Sequence, residues 1–282
     1  MSYVGGRHFR VADDDGTLYP LLVAYPSPVP PEPVSLGPYL LEIAANAEIE
    51  PGRHPMVVIS HGSGGSHLVY RDLAGHLARS GYVVLMPEHP GNNRNDNALA
   101  DSTDNLENRP RHLSQSLDLI AADAEFGPNV DMDRVAVIGH SLGGYTALAL
   151  AGGRPSTADG TRIPVTADPR VRALVLLAPA TPWYAGKGAL AEVRVPVLML
   201  TAERDSLTPP WQAEIVRKGL PAAARLVHHV VPNAGHYSFL SPFPEVMRSP
   251  RFPPGNDPEG FDRAGFQREL AGTVAGFLER AL

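Results

Sequence analysis

The apolar residues of this chain come in short, β-branched runs, and that arrangement constrains the fold more than any other feature. Met56–Ser60 (MVVIS), Tyr82–Met86 (YVVLM), Val135–Gly139 (VAVIG), Ala173–Ala178 (ALVLLA) and Val195–Thr201 (VPVLMLT) are apolar at nearly every position, so both faces of each strand need a cover. Segments with helical apolar spacing lie where crossovers are needed: Leu68–Ser80, Arg111–Phe126, Leu142–Ala151, Pro210–Gly219 and Arg263–Leu282. The alternation predicts an α/β architecture, a mostly parallel central sheet of about eight strands with helices on both faces. Phe9–Ala12 and Leu18–Tyr25 read as an antiparallel hairpin opening the sheet, with Asp13–Asp15 as its solvated turn, and Leu226–Val231 reads as the last strand.

With 282 residues, 43% of them hydrophobic, the chain has enough material for one large core, and residues 1–282 are read as a single domain. Pro, Gly, Asn and Asp mark four stretches as loop: Pro26–Pro38, Gly91–Arg111, Gly152–Arg170 and Ser241–Gly260. The last three are read as insertions near a functional site, because long loops in compact domains tend to carry function. A net charge of −6 gives no basic face for nucleic acid. The absence of cysteine removes disulfides, thiolate metal sites and a thiol nucleophile together. Met1–Arg10 has no apolar signal region and no stretch approaches a membrane span, so a cytoplasmic location is expected. No HExxH or comparable cluster occurs, and neither metal nor cofactor is expected. The oligomeric state has no signature in the sequence.

Gly139-His140-Ser141-Leu142-Gly143 fits G-x-S-x-G. The bare pattern is weak, but here it stands between the buried strand VAVIG and the small-residue helix LGGYTALALA, the context that a nucleophile elbow requires. A serine hydroxyl needs a base to take its proton during attack. Of 11 histidines, His236 in Asn233-Ala234-Gly235-His236 follows the last strand and is the expected base. The acid that orients it should lie between Ser141 and His236, where Glu203 and Asp205 both follow a buried strand; Asp205, deeper in the loop, is favoured, the plainer alternative being a turn cap. The backbone N–H groups of Leu142 and of Ser63, in the glycine-rich turn Ser60-His61-Gly62-Ser63-Gly64-Gly65, are the expected oxyanion donors. His61, Gly62 and His140, which flank these positions, are expected to border the substrate.

These motifs are similar to those of the α/β-hydrolases. SHGSGG, GYVVLMPEHPG, GHSLGGY, LMLTAERDSLTPP and NAGHYSFL resemble the dienelactone-hydrolase-like branch, including bacterial proteins similar to platelet-activating-factor acetylhydrolase. The chain departs from both. Dienelactone hydrolases proper have a cysteine nucleophile where this chain has serine, and ALVLLAPATPW offers no carboxylate after the earlier strand, where the acetylhydrolases carry their acid. The acid loop instead resembles that of bacterial cutinases and polyester hydrolases. That resemblance implies that Trp183 forms one wall of the acyl pocket, against the alternative of a core or surface tryptophan.

The resemblance implies a serine esterase that cleaves small-molecule acyl esters through an acyl-enzyme. Because Gly91–Arg111 is almost wholly polar and lacks the amphipathic face of an interfacial lid, short or soluble acyl esters are favoured. Phe239–Pro254 holds three phenylalanines that suit an apolar wall or a stiffened surface loop. Amide or lactone cleavage, acyl transfer on the same residues, and a non-catalytic binding scaffold are the alternatives.

Overall fold

The computed structural model describes residues 2–282. Ten strands form one sheet: β1 (Tyr3–Ala12), β2 (Leu18–Ser27), β3 (Glu32–Leu36), β4 (Tyr39–Ala45), β5 (His54–Ser60), β6 (Val83–Pro87), β7 (Val130–His140), β8 (Val171–Leu177), β9 (Val197–Ala202) and β10 (Val227–Val231). Their order is β10-β9-β8-β7-β5-β6-β2-β1-β4-β3. From β6 to β10 every pairing is parallel, whereas β2 is antiparallel to both β6 and β1.

Alternate residues of each central strand enter different cores, as a period of two demands. Val57, Ile59, Val84 and Ile138 pack with α1 (Arg71–Arg79) and with the C-terminal helix, Arg263–Ala281. Met56, Val58, Val83 and Val137 pack with the helices that cover the other face, Thr103–Ala122 (α2), Leu142–Leu150 (α3) and Pro210–Gly219 (α4). The C-terminal helix is α5. Each aliphatic side chain fully buried in these layers contributes roughly 1.5–3 kcal/mol, which makes both cores necessary to a sheet with no polar face at its centre.

Three expectations are corrected. The sheet has ten strands rather than about eight, because Pro26–Pro38 is not a loop throughout: β3 pairs antiparallel with β4, Leu36 opposite Tyr39. Pro33 is tolerated because β3 is the outermost strand, where a missing N–H breaks no inner ladder. Gly91–Arg111 is loop only to Ser102, whose side chain caps α2 by accepting from the Asn105 N–H. Pro110 sits inside that helix; the Leu106 carbonyl that its missing N–H leaves free accepts instead from the Tyr145 hydroxyl at 3.2 Å. Finally, the acidic hairpin turn is solvated only at Asp14 and Asp15. Asp13 is 7% exposed and bound by Arg111 and His112 of α2.

Candidate active site

Ser141 occupies the bend between β7 and α3 at φ 55°, ψ −119°. That left-handed backbone costs an L-residue roughly 1–3 kcal/mol and persists only where neighbours over-determine it. The Ser141 N–H donates to the Leu177 carbonyl at 3.0 Å, and its carbonyl accepts from Gly144 and Ala180, both at 2.8 Å. The flanking glycines are required by packing rather than by torsion. A Cβ on Gly139 would lie 2.0 Å from the Gly143 carbonyl oxygen, and one on Gly143 2.0 Å from that of Ser60. The bend thus brings α3 directly against β5.

His236 begins a short 3-10 turn after β10. Its Nδ1 donates to Asp205 Oδ2 at 2.8 Å, and both side chains are buried. Asp205 also accepts from the N–H groups of Leu207 and Thr208, each at 2.8 Å, and from the Thr208 hydroxyl at 2.7 Å. Burial raises the Asp205 carboxyl, but hydrogen bonds from His236 and Thr208 outweigh it and hold the pKa below the usual carboxylate value. Glu203 points elsewhere: it is exposed and accepts from the Asn233 N–H at 2.7 Å. With Nδ1 occupied, Nε2 is the ring atom left to exchange a proton.

His140 ties this histidine segment to the elbow. Its Nε2 donates to the His236 carbonyl at 3.0 Å, its Nδ1 is hydrogen-bonded to the Tyr70 hydroxyl at 3.0 Å, and its ring lies 4.9 Å from that of His236. Burial next to His236 pushes its pKa down to about 3, so it is neutral. The Ser141 hydroxyl and His236 Nε2 have no hydrogen-bond partner among the described residues, an arrangement that commonly tightens only when substrate binds.

The turn after β5 stands against Ser141, where a Cβ on Gly62 would lie 3.1 Å from the Ser141 Cβ. Neither the Ser63 N–H nor the Leu142 N–H donates within the described chain; Leu142 opens α3, where helix donors are unpaired by construction. Ser63, Leu142, Ser141 and Trp183 border one cleft of about 330 Å³. A second, of about 210 Å³, is bordered by Gly62, Ser63, His140, Ser141 and aromatic residues of the 237–254 region. Trp183 is half-buried, packing edge-on against Tyr145 at 5.1 Å while facing the first cleft.

His61, expected to border the substrate, is fully buried beneath the turn. Its Nδ1 donates to the Gly62 carbonyl at 2.8 Å, and its Nε2 accepts from the His89 N–H at 3.1 Å. Both nitrogens are consumed in shaping the loop, and the ring borders neither cleft.

The sequence reading missed Arg109, the residue that holds this turn. Its guanidinium is fully buried and donates to the His61 carbonyl, to Asn92 Oδ1 at 2.9 Å, to Ser60 Oγ at 3.4 Å and to Thr146 Oγ1 at 3.1 Å. Asn92 in turn donates to Ser63 Oγ at 3.1 Å. Every acceptor is neutral, and burial lowers the Arg109 pKa to about 9. No sequence pattern marks a buried arginine beside a helical proline. Thr208 was detectable in principle, since Asp-x-x-Thr is the spacing at which an aspartate side chain caps the following turn.

Among the described residues no cluster of metal-ligating side chains occurs, and no helix is long and apolar enough to cross a membrane.

Comparison with known proteins agrees with this architecture. A family described as alpha/beta hydrolase fold matches residues 55–187. Cutinase 2 of Thermobifida cellulosilytica is 29% identical over 185 residues, 64% of this chain and 60% of that protein. A bis(hydroxyethyl) terephthalate hydrolase of Streptomyces coelicolor is 29% identical over 163 residues, 57% of this chain and 44% of that one. The chain thus aligns with less than two thirds of the length of these curated relatives. A ferulic acid esterase from Streptomyces cinnamoneus superposes with a TM-score of 0.72 at 22% identity, covering 99% of this chain and 90% of the other.

Proposed function

On the α/β-hydrolase fold that this chain carries, we propose a serine hydrolase acting on carboxylic esters. The observation that carries the proposal is the strained elbow: Ser141 is held at positive φ, and the adjoining His140 donates to the carbonyl of His236, whose Nδ1 is committed to a buried carboxylate. The names of the relatives, a cutinase and a bis(hydroxyethyl) terephthalate hydrolase, point the same way.

In this reading, Ser141 Oγ attacks the ester carbonyl carbon as its proton passes to His236 Nε2. The carbonyl oxygen, now anionic, accepts from the N–H groups of Ser63 and Leu142. Collapse of the tetrahedral adduct breaks the bond to the alcohol oxygen, which takes the proton from His236 and leaves an acyl-Ser141. Water then attacks the acyl-enzyme, giving its proton to His236, and the second tetrahedral adduct collapses by breaking the bond to Ser141 Oγ, which takes the proton back from His236 as the acid departs. Asp205 keeps the imidazole in the tautomer with Nδ1 protonated and stabilises the transient imidazolium. His61 shapes the donor turn from below, His140 fixes the His236 backbone, and Gly62 and Trp183 border the substrate clefts. The small clefts and the polar 91–102 loop favour short or soluble acyl esters.

Covalent labelling by a fluorophosphonate, together with turnover of p-nitrophenyl esters of rising chain length, tests the proposal. Labelling that survives Ser141→Ala refutes the nucleophile, and rates that climb toward long acyl chains refute the short-ester preference.

A further inference from the structure

The second cleft beside Ser141 is largely apolar. Its walls are aromatic and aliphatic, from Tyr39, Tyr237, Leu240, Phe243 and Phe252, and its single formally charged side chain is Arg94. In a chain of net charge −6, no aspartate or glutamate among the described residues borders it. The Arg94 guanidinium forms no ion pair among the described residues. Arg71, by contrast, is already engaged: it stacks 4.4 Å from the Tyr39 ring centroid and donates to the Pro242 carbonyl.

The buried Tyr39 ring forms part of the cleft wall, and its hydroxyl has the Arg94 side chain as a neighbour. The loop carrying Arg94 is also fixed in place. Its N–H donates to the Gly65 carbonyl at 2.8 Å, and Asn93 bridges to Gly65, which ties the arginine to the turn that bears the Ser63 donor.

We propose that this cleft is a subsite for an acyl group that ends in a carboxylate, with the exposed Arg94 guanidinium receiving the distal oxygens. The inference rests on the ester-hydrolase reading and deepens it: the preferred substrates are monoesters of dicarboxylic acids with a flat, apolar body. The aromatic walls take the body, the guanidinium takes the charge, and Ser141 at the shared edge of the two clefts meets the ester carbonyl while the alcohol leaves through the other.

The test compares monomethyl terephthalate with methyl 4-nitrobenzoate, whose nitro group has the shape of a carboxylate without its charge. In Arg94→Ala the ratio of kcat/KM for the charged over the neutral ester falls about tenfold at low salt, mainly through KM, and the gap shrinks as salt rises. Arg94→Lys restores part of the ratio. An unchanged ratio in Arg94→Ala, with both esters still cleaved, overturns the subsite and leaves the esterase reading standing. If wild-type protein cleaves neither ester and takes no fluorophosphonate label, the esterase reading itself has failed. Calorimetric titration of monomethyl terephthalate into Ser141→Ala and Ser141→Ala/Arg94→Ala then judges the subsite alone: weaker binding in the double variant supports it, and equal binding refutes it.

Discussion

Two buried aspartate–histidine pairs lie in this molecule, and they differ in what they reach. In one, Asp205 holds His236 at 2.8 Å, and the histidine segment abuts Ser141 at the edge of two clefts. In the other, Asp13 holds His112 at 3.2 Å, His112 is bonded to His89 at 3.1 Å, and His89 Nε2 is 3.0 Å from the Ser60 hydroxyl. On hydrogen bonds alone the second chain looks better assembled than the first. Yet Ser60 is completely buried at the end of a regular strand, it also accepts from Arg109, and it borders neither cleft. The lesson is that a serine in line with histidine and aspartate is not enough for chemistry. The strained bend and the adjoining space distinguish Ser141, whereas the Ser60 chain supports the turn that carries the oxyanion donors.

The sharpest way to break this contrast is to remove each carboxylate in turn. Asp205→Asn should lower kcat on a p-nitrophenyl ester by about 10⁴-fold, the scale set by an imidazole held in the wrong tautomer. Asp13→Asn should leave kcat within about threefold while costing about 1–3 kcal/mol of stability in urea unfolding. Equal losses of activity would show that the two networks are not functionally distinct.

Arg109 is where the supporting network touches the reaction. Arg109→Met leaves the His61 carbonyl and Asn92 Oδ1 without their donor, and stability should fall by about 3 kcal/mol. Because Asn92 would then hold Ser63 less firmly, kcat should drop by roughly tenfold to a hundredfold, with little change in KM. A fully active variant would separate the buried network from the donor turn.

Both regions should also respond to acid. Burial holds His61 and His89 well below their ordinary value, His67 at about 4 and His140 at about 3. Folded pKa values below the unfolded value of about 6.5 mean that the unfolded chain binds more protons as pH drops. Stability is therefore full above that pH and declines below it, by up to about 1.4 kcal/mol per unit for each such histidine. The Asp13 and Asp205 carboxyls, burial notwithstanding, are held low by their donors, so their contribution persists above about pH 4 and disappears as pH falls through the folded values. Urea unfolding at pH 7.5, 6 and 5 measures the slope, and a flat profile across that range would contradict neutral buried histidines.

The smallest effect belongs to the rejected acid. Glu203→Gln keeps an acceptor for the Asn233 N–H on the exposed side of the loop, and kcat should stay within about twofold. A loss matching that of Asp205→Asn would move the acid to Glu203.

Much of this organisation was legible from residue order. The central strands and α4 fall within a few residues of their expected bounds, because both are written in local periodicity: consecutive apolar residues where both faces are covered, and i, i+3, i+4 spacing where one face is. The elbow was legible for a similar reason, since small residues must flank a serine wedged between β5 and β8. Pro33 and Pro110 misled the reading in opposite places. A proline signals a break only when the N–H it lacks, or the carbonyl it frees, has no other arrangement; an edge position and the Tyr145 hydroxyl supplied one in each case.

Residue order alone determined the layered α/β fold, since the burial of each segment is encoded in its own side chains. It also determined which serine sits on the bend between a strand and a small-residue helix. Tertiary structure decided which polar groups became partners across long separations: Asp13 with His112, Arg109 with the His61 carbonyl, and His140 with the His236 carbonyl. Such pairings depend on distances set by packing between elements, and a hydrogen bond between residues far apart in the chain leaves no periodicity behind it.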